Sequence, residues 1–242
     1  MRNEDIIDFE QDDLENFEIY SKVTSKELYY SIAYYIKQNY KSSLFYANEK
    51  VKYKIVNDFV RLDKSIKNIT YKFLSTYEEW IKTIILDKYN IVVDEQEKEY
   101  ILKIEERKSL ELNLETMKVL NNWAKYFKKS KGYYTDGYSH NILSFIGIKE
   151  NNFNLKDFTD YDVNYFSTDL KEIVELRNKV MHHGILLETD WDKLKILYLN
   201  LPENWDDEFQ KQIFASVRKR KNIPIEAIKK MEKNIDQWEK HK

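Results

Sequence analysis

The stretch NDFVRLDKSIKNITYKFLSTYEEWIKTIIL, residues 57–86, keeps a regular apolar period over an unusual length. Its apolar residues recur every three or four positions, which is the spacing of one face of an α-helix. They occupy positions 59, 62, 66, 69, 73, 77, 81 and 84. The pattern therefore predicts a helical spine, formed by one long helix or by two helices broken near Asn68.

Turn-forming residues are scarce in the whole chain, because its 242 residues include only 4 Gly and 2 Pro. Further helical patterns are predicted at about 95–108, 114–129, 141–149, 170–183, 190–199 and 203–219, and in a last helix that begins after Pro224, at a first-turn position. The clearest loop is 131–140, with two of the glycines. We therefore predict an all-α fold, a single helical domain with one substantial core.

A polar edge runs along the predicted helix 170–183. At 100° per residue, one face is apolar and consists of Leu170, Ile173, Val174, Val180 and Met181. Glu175, Asn178 and His182 share a polar flank, where the first two side chains can orient the imidazole. Arg177 falls inside the apolar stripe, which indicates a guanidinium held in a pocket or interface and directed at a partner.

The ends of this helix are also marked. Asp169 and Glu172 have the spacing of a capping box, and Gly184 predicts a left-handed exit. The histidines are therefore expected in a last turn near the surface. Spacing alone leaves an alternative open, in which Arg177 forms a structural salt bridge and His182 a surface hydrogen bond.

Residues 175–186 read ELRNKVMHHGIL and resemble the Arg-Asn-x-x-x-His signature of the HEPN superfamily, in the Leu-Arg-Asn-x-x-x-His-His form of the Abi-like (abortive infection) family. Upstream, residues 74–82, LSTYEEWIK, resemble the Leu-x-x-Ile-Glu-x-x-Ile-Arg helix of that family, with Glu78 and Lys82 at the matching positions. The similarity covers about residues 57–190. It departs from the family after His183, where GILLE replaces a usual Leu-Trp-Asn stretch.

This resemblance implies a HEPN-like helical bundle with additional helices, acting on RNA in anti-phage defence. The residue chemistry fits metal-independent phosphodiester cleavage, because an imidazole exchanges protons near neutral pH and a guanidinium stabilises developing negative charge. We assign His182 as general acid or base and Arg177 as the phosphate clamp. Asn178 orients His182, and His183 is the substitute if the helix end shifts by one residue.

Three further residues are expected to support the site: Glu78 and Lys82 line or brace the cleft, and Glu175 lies on the same flank as His182. Other chemistries lack their minimum residues. There is no Cys, no Gly-rich phosphate loop, no His-Glu-x-x-His and no Gly-x-Ser-x-Gly. A metal site made by Glu78, Glu175 and His182 is a minor alternative, so we expect no metal and no cofactor.

Charge is unevenly distributed around a net value of −2. Residues 1–17 hold seven acidic side chains, and residues 217–242 hold nine Lys and Arg against four acids. A compact basic block, Arg218, Lys219, Arg220 and Lys221, is either a solvated tail or an RNA-binding element. Tyr133, Tyr134 and Tyr138, beside Lys128, Lys129 and Lys131, either stack bases or pack normally.

The expected organisation is an acidic lead 1–17, a HEPN/Abi-like domain 18–216 and a basic C-terminal helix 217–242. With no apolar run of membrane-spanning length and no basic-then-apolar leader, we expect a cytoplasmic protein without membrane contact.

Transesterification needs an acid and a base on opposite sides of the phosphate, and the resemblance implies that two copies supply them, so we expect a homodimer. The expected partners are an RNA substrate and a regulatory RNA or antitoxin. The alternative function is a non-catalytic RNA-binding or protein-interaction HEPN module of a toxin–antitoxin or defence system, in which Arg177 and His182 only bind phosphate.

Overall fold

The computed structural model describes residues 4–10, 12–89, 92–93, 100–101, 166–182, 184–186, 190–202 and 204–238. Side chains at 81–101 and 166–171 lie outside this description. Within these ranges the chain forms seven α-helices and only short strands, so the predicted all-α fold class is confirmed. No helix in the described part is both long and apolar enough to cross a membrane.

The helices follow one another in chain order. They are α1 Asp13–Thr24, α2 Lys26–Asn39, α3 Tyr53–Tyr89, α4 Phe166–Met181, α5 Trp191–Asn200, α6 Trp205–Arg218 and α7 Ile225–Asp236. The chain divides into two compact units, one formed by 1–71 and 179–242 and the other by 72–178. The predicted domain bounds at residues 17 and 216 stay a prediction.

The first unit contains a small sheet beside α1 and α2. Its strands are β1 Ile7–Asp8, β2 Tyr46–Ala47 and β3 Lys50–Lys52, in the order β1-β3-β2. Strand β1 is parallel to β3 and β2 is antiparallel to it, and both pair with Val51. Phe17, Tyr29 and Tyr53 pack beside this sheet with ring centroids 5.3 to 6.1 Å apart. Burial raises the pKa of Tyr53 and of Tyr29.

Aromatic side chains of α5 and α6 pack against one tryptophan, Trp238. Trp238 is buried and stacks on Phe209 of α6 with centroids 5.9 Å apart. Trp191 and Tyr198 of α5 approach the same ring at 6.1 and 6.0 Å. Aromatic burial of this size contributes a large share of core stability, so the segment after α6 is part of the core.

The spine prediction is resolved in favour of one helix. Helix α3 runs unbroken through Asn68, and Val56, Phe59, Leu62 and Ile66 on its apolar face are buried. The predictions for 190–199 and 203–219 are confirmed by α5 and α6. Helix α7 begins directly after Pro224, whose φ of −56° and ψ of 141° place it at the cap rather than in the first turn.

Two predictions in the second unit need correction. Residues 100–101, predicted as helix, form strand β5 Tyr100–Ile101, antiparallel to β4 Val92–Val93, because both segments consist of strand-favouring residues. Helix α4 begins at Phe166, so Asp169 is not its N-cap. The predicted helices 114–129 and 141–149 and the loop 131–140 lie outside the described residues.

Candidate functional site

Arg177 and Glu78 form an ion pair between α4 and α3. The Arg177 Nε atom lies 3.5 Å from Glu78 Oε1, and the two side chains are 13% and 9% exposed. An arginine with so little exposure requires an anionic partner, because an unpaired buried charge is strongly destabilising. The sequence predicted that the Arg177 guanidinium is directed at a partner. Glu78 is one such partner.

Asn178 contacts the same guanidinium. Arg177 Nη1 donates a hydrogen bond of 3.1 Å to Asn178 Oδ1. Asn178 was predicted to orient His182. The amide oxygen of Asn178 accepts its hydrogen bond from Arg177 instead, so the predicted role stays a prediction. Glu78 and Asn178 therefore contact different nitrogens of the same guanidinium, Nε and Nη1, which restrains its orientation.

The apolar part of α4 is buried within the protomer. Ile173, Val174 and Leu176 are buried, whereas Glu175 is exposed as the wheel of 100° per residue predicts. Arg177 therefore lies in an apolar stripe that the chain covers itself. Its surroundings do not require a second copy, and the expectation of a dimer rests on the count of catalytic groups.

His182 lies in the turn directly after α4 and is exposed. An imidazole in that position is accessible to a substrate from solvent. His183 and the other two histidines, His140 and His241, lie outside the described residues. Lys82 belongs to α3, but its side chain lies outside the description. The predicted stacking residues Tyr133, Tyr134 and Tyr138, with Lys128, Lys129 and Lys131, are outside it as well.

Gly184 ends the turn in a way that the sequence did not predict. Its φ is not in the left-handed region, so the predicted left-handed exit is wrong. Its N–H donates to the Lys179 carbonyl at 2.9 Å, and a Cβ at this position would lie 2.5 Å from Lys179 Cγ. Glycine is required here for close approach to the last turn of α4. Lys179 in turn forms an ion pair of 2.6 Å with the buried carboxylate of Asp190.

Asp63 anchors the segment that follows. It is fully buried in α3, and its Oδ1 accepts a hydrogen bond of 2.8 Å from the Leu186 N–H. Its Oδ2 pairs with Lys67 Nζ at 2.5 Å. Asp63 is not among the site residues predicted from the sequence. The available signal was an acid within the apolar face of α3 with a lysine four residues later.

The basic block divides into residues with different environments. Arg218 Nε donates to Glu232 Oε1 at 2.6 Å, and its guanidinium lies 5.2 Å from the centre of the Phe214 ring. Lys219 and Lys221 are exposed, and Arg220 is partly buried. The four cations therefore do not form one uniform solvated surface.

Among the described residues, no group of three or more His, Asp and Glu side chains is placed to share a metal ion. The chain was also compared with models of protein families, with curated proteins and with solved structures, and none of them matches it.

Proposed function

We propose that this protein is a metal-independent endoribonuclease of the HEPN superfamily, related to the Abi-like family. The observation that carries the proposal is the contrast within five residues of the motif. The guanidinium of Arg177 is largely buried and oriented by Glu78 and Asn178, while His182, at the end of the same helix, is exposed to solvent. A fixed cation and an accessible imidazole are the groups that cleavage of RNA requires.

In the proposed reaction the ribose 2′-hydroxyl attacks the neighbouring phosphorus in line. His182 accepts the hydroxyl proton as the bond from O2′ to phosphorus forms. The bond from phosphorus to O5′ breaks, and a second imidazole protonates the departing oxygen. The products are a 2′,3′-cyclic phosphate and a 5′-hydroxyl, so no water, metal or oxidant is consumed.

Arg177 has donors to spare for the phosphate. A guanidinium carries five N–H groups, and the contacts with Glu78 and Asn178 involve Nε and Nη1. The separation of 3.5 Å from Glu78 exceeds that of a strong charge-assisted hydrogen bond. The pair therefore orients the guanidinium without matching the tightest geometry that a carboxylate offers, and negative charge developing on the phosphate can compete for it.

The second imidazole is supplied by a second copy of the chain, so the active form is a homodimer with both His182 side chains in one cleft. Mixed dimers of wild-type and His182→Ala chains test this. They should be nearly as inactive as the double variant, because groups that act as a unit lose their effect together. An active monomer in sedimentation at the assay concentration would exclude the shared cleft.

The test of the reaction itself is incubation of purified protein with end-labelled RNA in EDTA. We expect cleavage by the wild type, products with cyclic phosphate ends, and none from Arg177→Ala or His182→Ala. Asp192→Asn is the control, since Asp192 is exposed on α5 and lies outside the proposed site. Strict dependence on a divalent ion, or products with a 5′-phosphate, would contradict the mechanism.

One observation favours a second candidate, a non-catalytic RNA-binding or protein-interaction module. Arg177 already contacts two acceptors in its own chain, Glu78 and Asn178. This agrees with the alternative in which Arg177 forms a structural salt bridge. In that case the protein binds RNA, a regulatory RNA or an antitoxin partner without cleaving it. Binding of RNA that stays intact over a long incubation, with equal affinity for a DNA of the same sequence, would favour this candidate.

A further inference from the structure

The last turn of α6 and the segment between α6 and α7 are hydrogen-bonded to α3 at two places. Ser216 Oγ donates to Ser65 Oγ at 2.6 Å. Further along, the Asn222 N–H and its side-chain amide both donate to Asp58 Oδ2, at 2.9 and 3.0 Å. These bonds place residues 216–222 alongside residues 58–65 of the spine helix.

Two arginines lie within these hydrogen-bonded segments, one in 58–65 and one in 216–222. Arg61 is three residues after Asp58 and four before Ser65, which places it on the same face of α3. Arg220 lies in the turn between Ser216 and Asn222. Burial lowers the pKa of Arg220, Asp58 opposes that change, and the positive charge of Arg61 adds to it. The two guanidiniums therefore influence each other across the junction.

Neither guanidinium forms an ion pair within 4.0 Å with a residue that the structure describes, although the nearby Asp58 carboxylate acts to raise the pKa of Arg220. Arg61 is exposed, and Arg220 Nε is buried without a hydrogen-bond acceptor. No ion pair of either side chain is found within the described ranges. The nearby Asp58 is itself buried, and one of its oxygens already accepts two bonds from Asn222. A partly buried cation without an anion costs free energy, which a bound anion recovers.

The rest of the basic block differs from this pair. Arg218 is already paired with Glu232 and lies over the Phe214 ring. Lys219 and Lys221 are exposed on either side of Arg220 and add positive charge around it. Within the block, Arg220 is the partly buried residue with a donor, Nε, that has no acceptor and can bind an anion.

We propose that Arg61 and Arg220 form an anion clasp that binds one backbone phosphate of single-stranded RNA. Two planar guanidiniums offer forked donors that match phosphate oxygens. The clasp rests on the proposed function for the identity of its ligand. The clasp contacts a phosphate and no base, so it binds the RNA chain without sequence specificity.

The test measures binding of a fluorescent 2′-O-methyl RNA, which cannot be cleaved by 2′-hydroxyl attack, as a function of salt. We expect Arg61→Gln and Arg220→Gln each to weaken binding by about 10-fold at low salt and to reduce the salt slope by about 0.7, the value for one phosphate contact on a single strand. The double variant should lose less than the product of the two single losses, because both side chains hold one phosphate.

Arg218→Gln is the matched control, and we expect it to change affinity by less than about 2-fold, since Arg218 is paired within the chain. Unchanged binding in both Arg61→Gln and Arg220→Gln would overturn the clasp, as would full additivity or an equal loss in the control. Arg61 is exposed, so its variant keeps the test valid even if Arg220→Gln unfolds.

The clasp and the nuclease can fail separately. If the wild type leaves ordinary RNA intact but the arginine variants lose affinity for 2′-O-methyl RNA, the clasp stands and the proposed reaction is wrong. If RNA is cleaved and the variants bind as tightly as the wild type, the clasp alone is wrong.

Discussion

Two of the buried acidic residues of helix α3, Asp63 and Glu78, form ion pairs that differ in distance and in exposure to solvent. Asp63 is fully buried, pairs with Lys67 on its own helix at 2.5 Å and also accepts the Leu186 N–H. Glu78 pairs with Arg177 on another helix at 3.5 Å, and both side chains keep some exposure. The first carboxylate has its bonds supplied by the fold, which suits a structural anchor. The second leaves its arginine accessible to another anion, which suits a functional cation.

The largest expected effect is on stability and comes from Asp63→Ala. The substitution removes the carboxylate facing Lys67 and the acceptor of a buried N–H, and breaking a buried pair in this way costs about 3–5 kcal/mol. The measurement is the free energy of unfolding in urea. Glu175→Ala, exposed in α4, should stay within about 0.5 kcal/mol of the wild type. A loss below about 1 kcal/mol at Asp63 would remove the distinction between the two pairs.

The next effect is on catalysis and comes from Arg177→Gln. Removing one preorganised donor to a developing negative charge lowers the rate by about 10²- to 10³-fold, so cleavage per folded molecule should fall by that amount. Asp63→Asn serves as the comparison, because it affects the anchor and not the proposed clamp. If the Asp63 variant loses more activity per folded molecule than the Arg177 variant, the assignment of the two pairs is reversed.

Glu78→Gln should have a smaller effect, because it keeps the shape of the side chain and weakens only the orientation of Arg177. We expect a loss of cleavage of about 10-fold, which corresponds to about 1.4 kcal/mol, expressed in kcat rather than in KM. Glu79→Gln is the matched control, since the adjacent Glu79 is exposed. A gain of activity in Glu78→Gln would show that the carboxylate restrains Arg177 instead of positioning it.

The smallest effect is expected from Gly184→Ala, in the turn after His182. The new Cβ must displace Lys179 Cγ, which lies 2.5 Å from its position. Because a lysine side chain can adjust, we expect a cost at the low end of the range for overpacking, about 1 kcal/mol. Thermal unfolding of both single variants and of the double variant with Lys179→Ala gives the coupling. The cost of Gly184→Ala should be smaller in the Lys179→Ala background, and an equal cost would show that another contact requires the glycine.

The parts of the fold that the sequence predicted are those in which neighbouring residues determine the conformation. The helical character of α3, and the helices α4 to α7, follow from apolar periods that repeat within a few turns, whereas only the structure showed that α3 is unbroken at Asn68. The capping role of Asp169 and the left-handed Gly184 were wrong because a helix end depends on what the next segment contacts. For Gly184 that contact is with Lys179, and no local pattern reveals it.

The sequence by itself determined the helical class, the order of the helices and the presence of Arg177, Asn178 and His182 on one helix and its end. Only the tertiary structure decided that Glu78 is the partner of Arg177, that Asp63 anchors Leu186 across 123 residues of chain, and that the turn with Arg220 is hydrogen-bonded to the part of α3 that carries Arg61. The physical reason is that helix periodicity acts over a few residues, whereas a buried charge takes whichever partner the packed helices bring within a few ångströms.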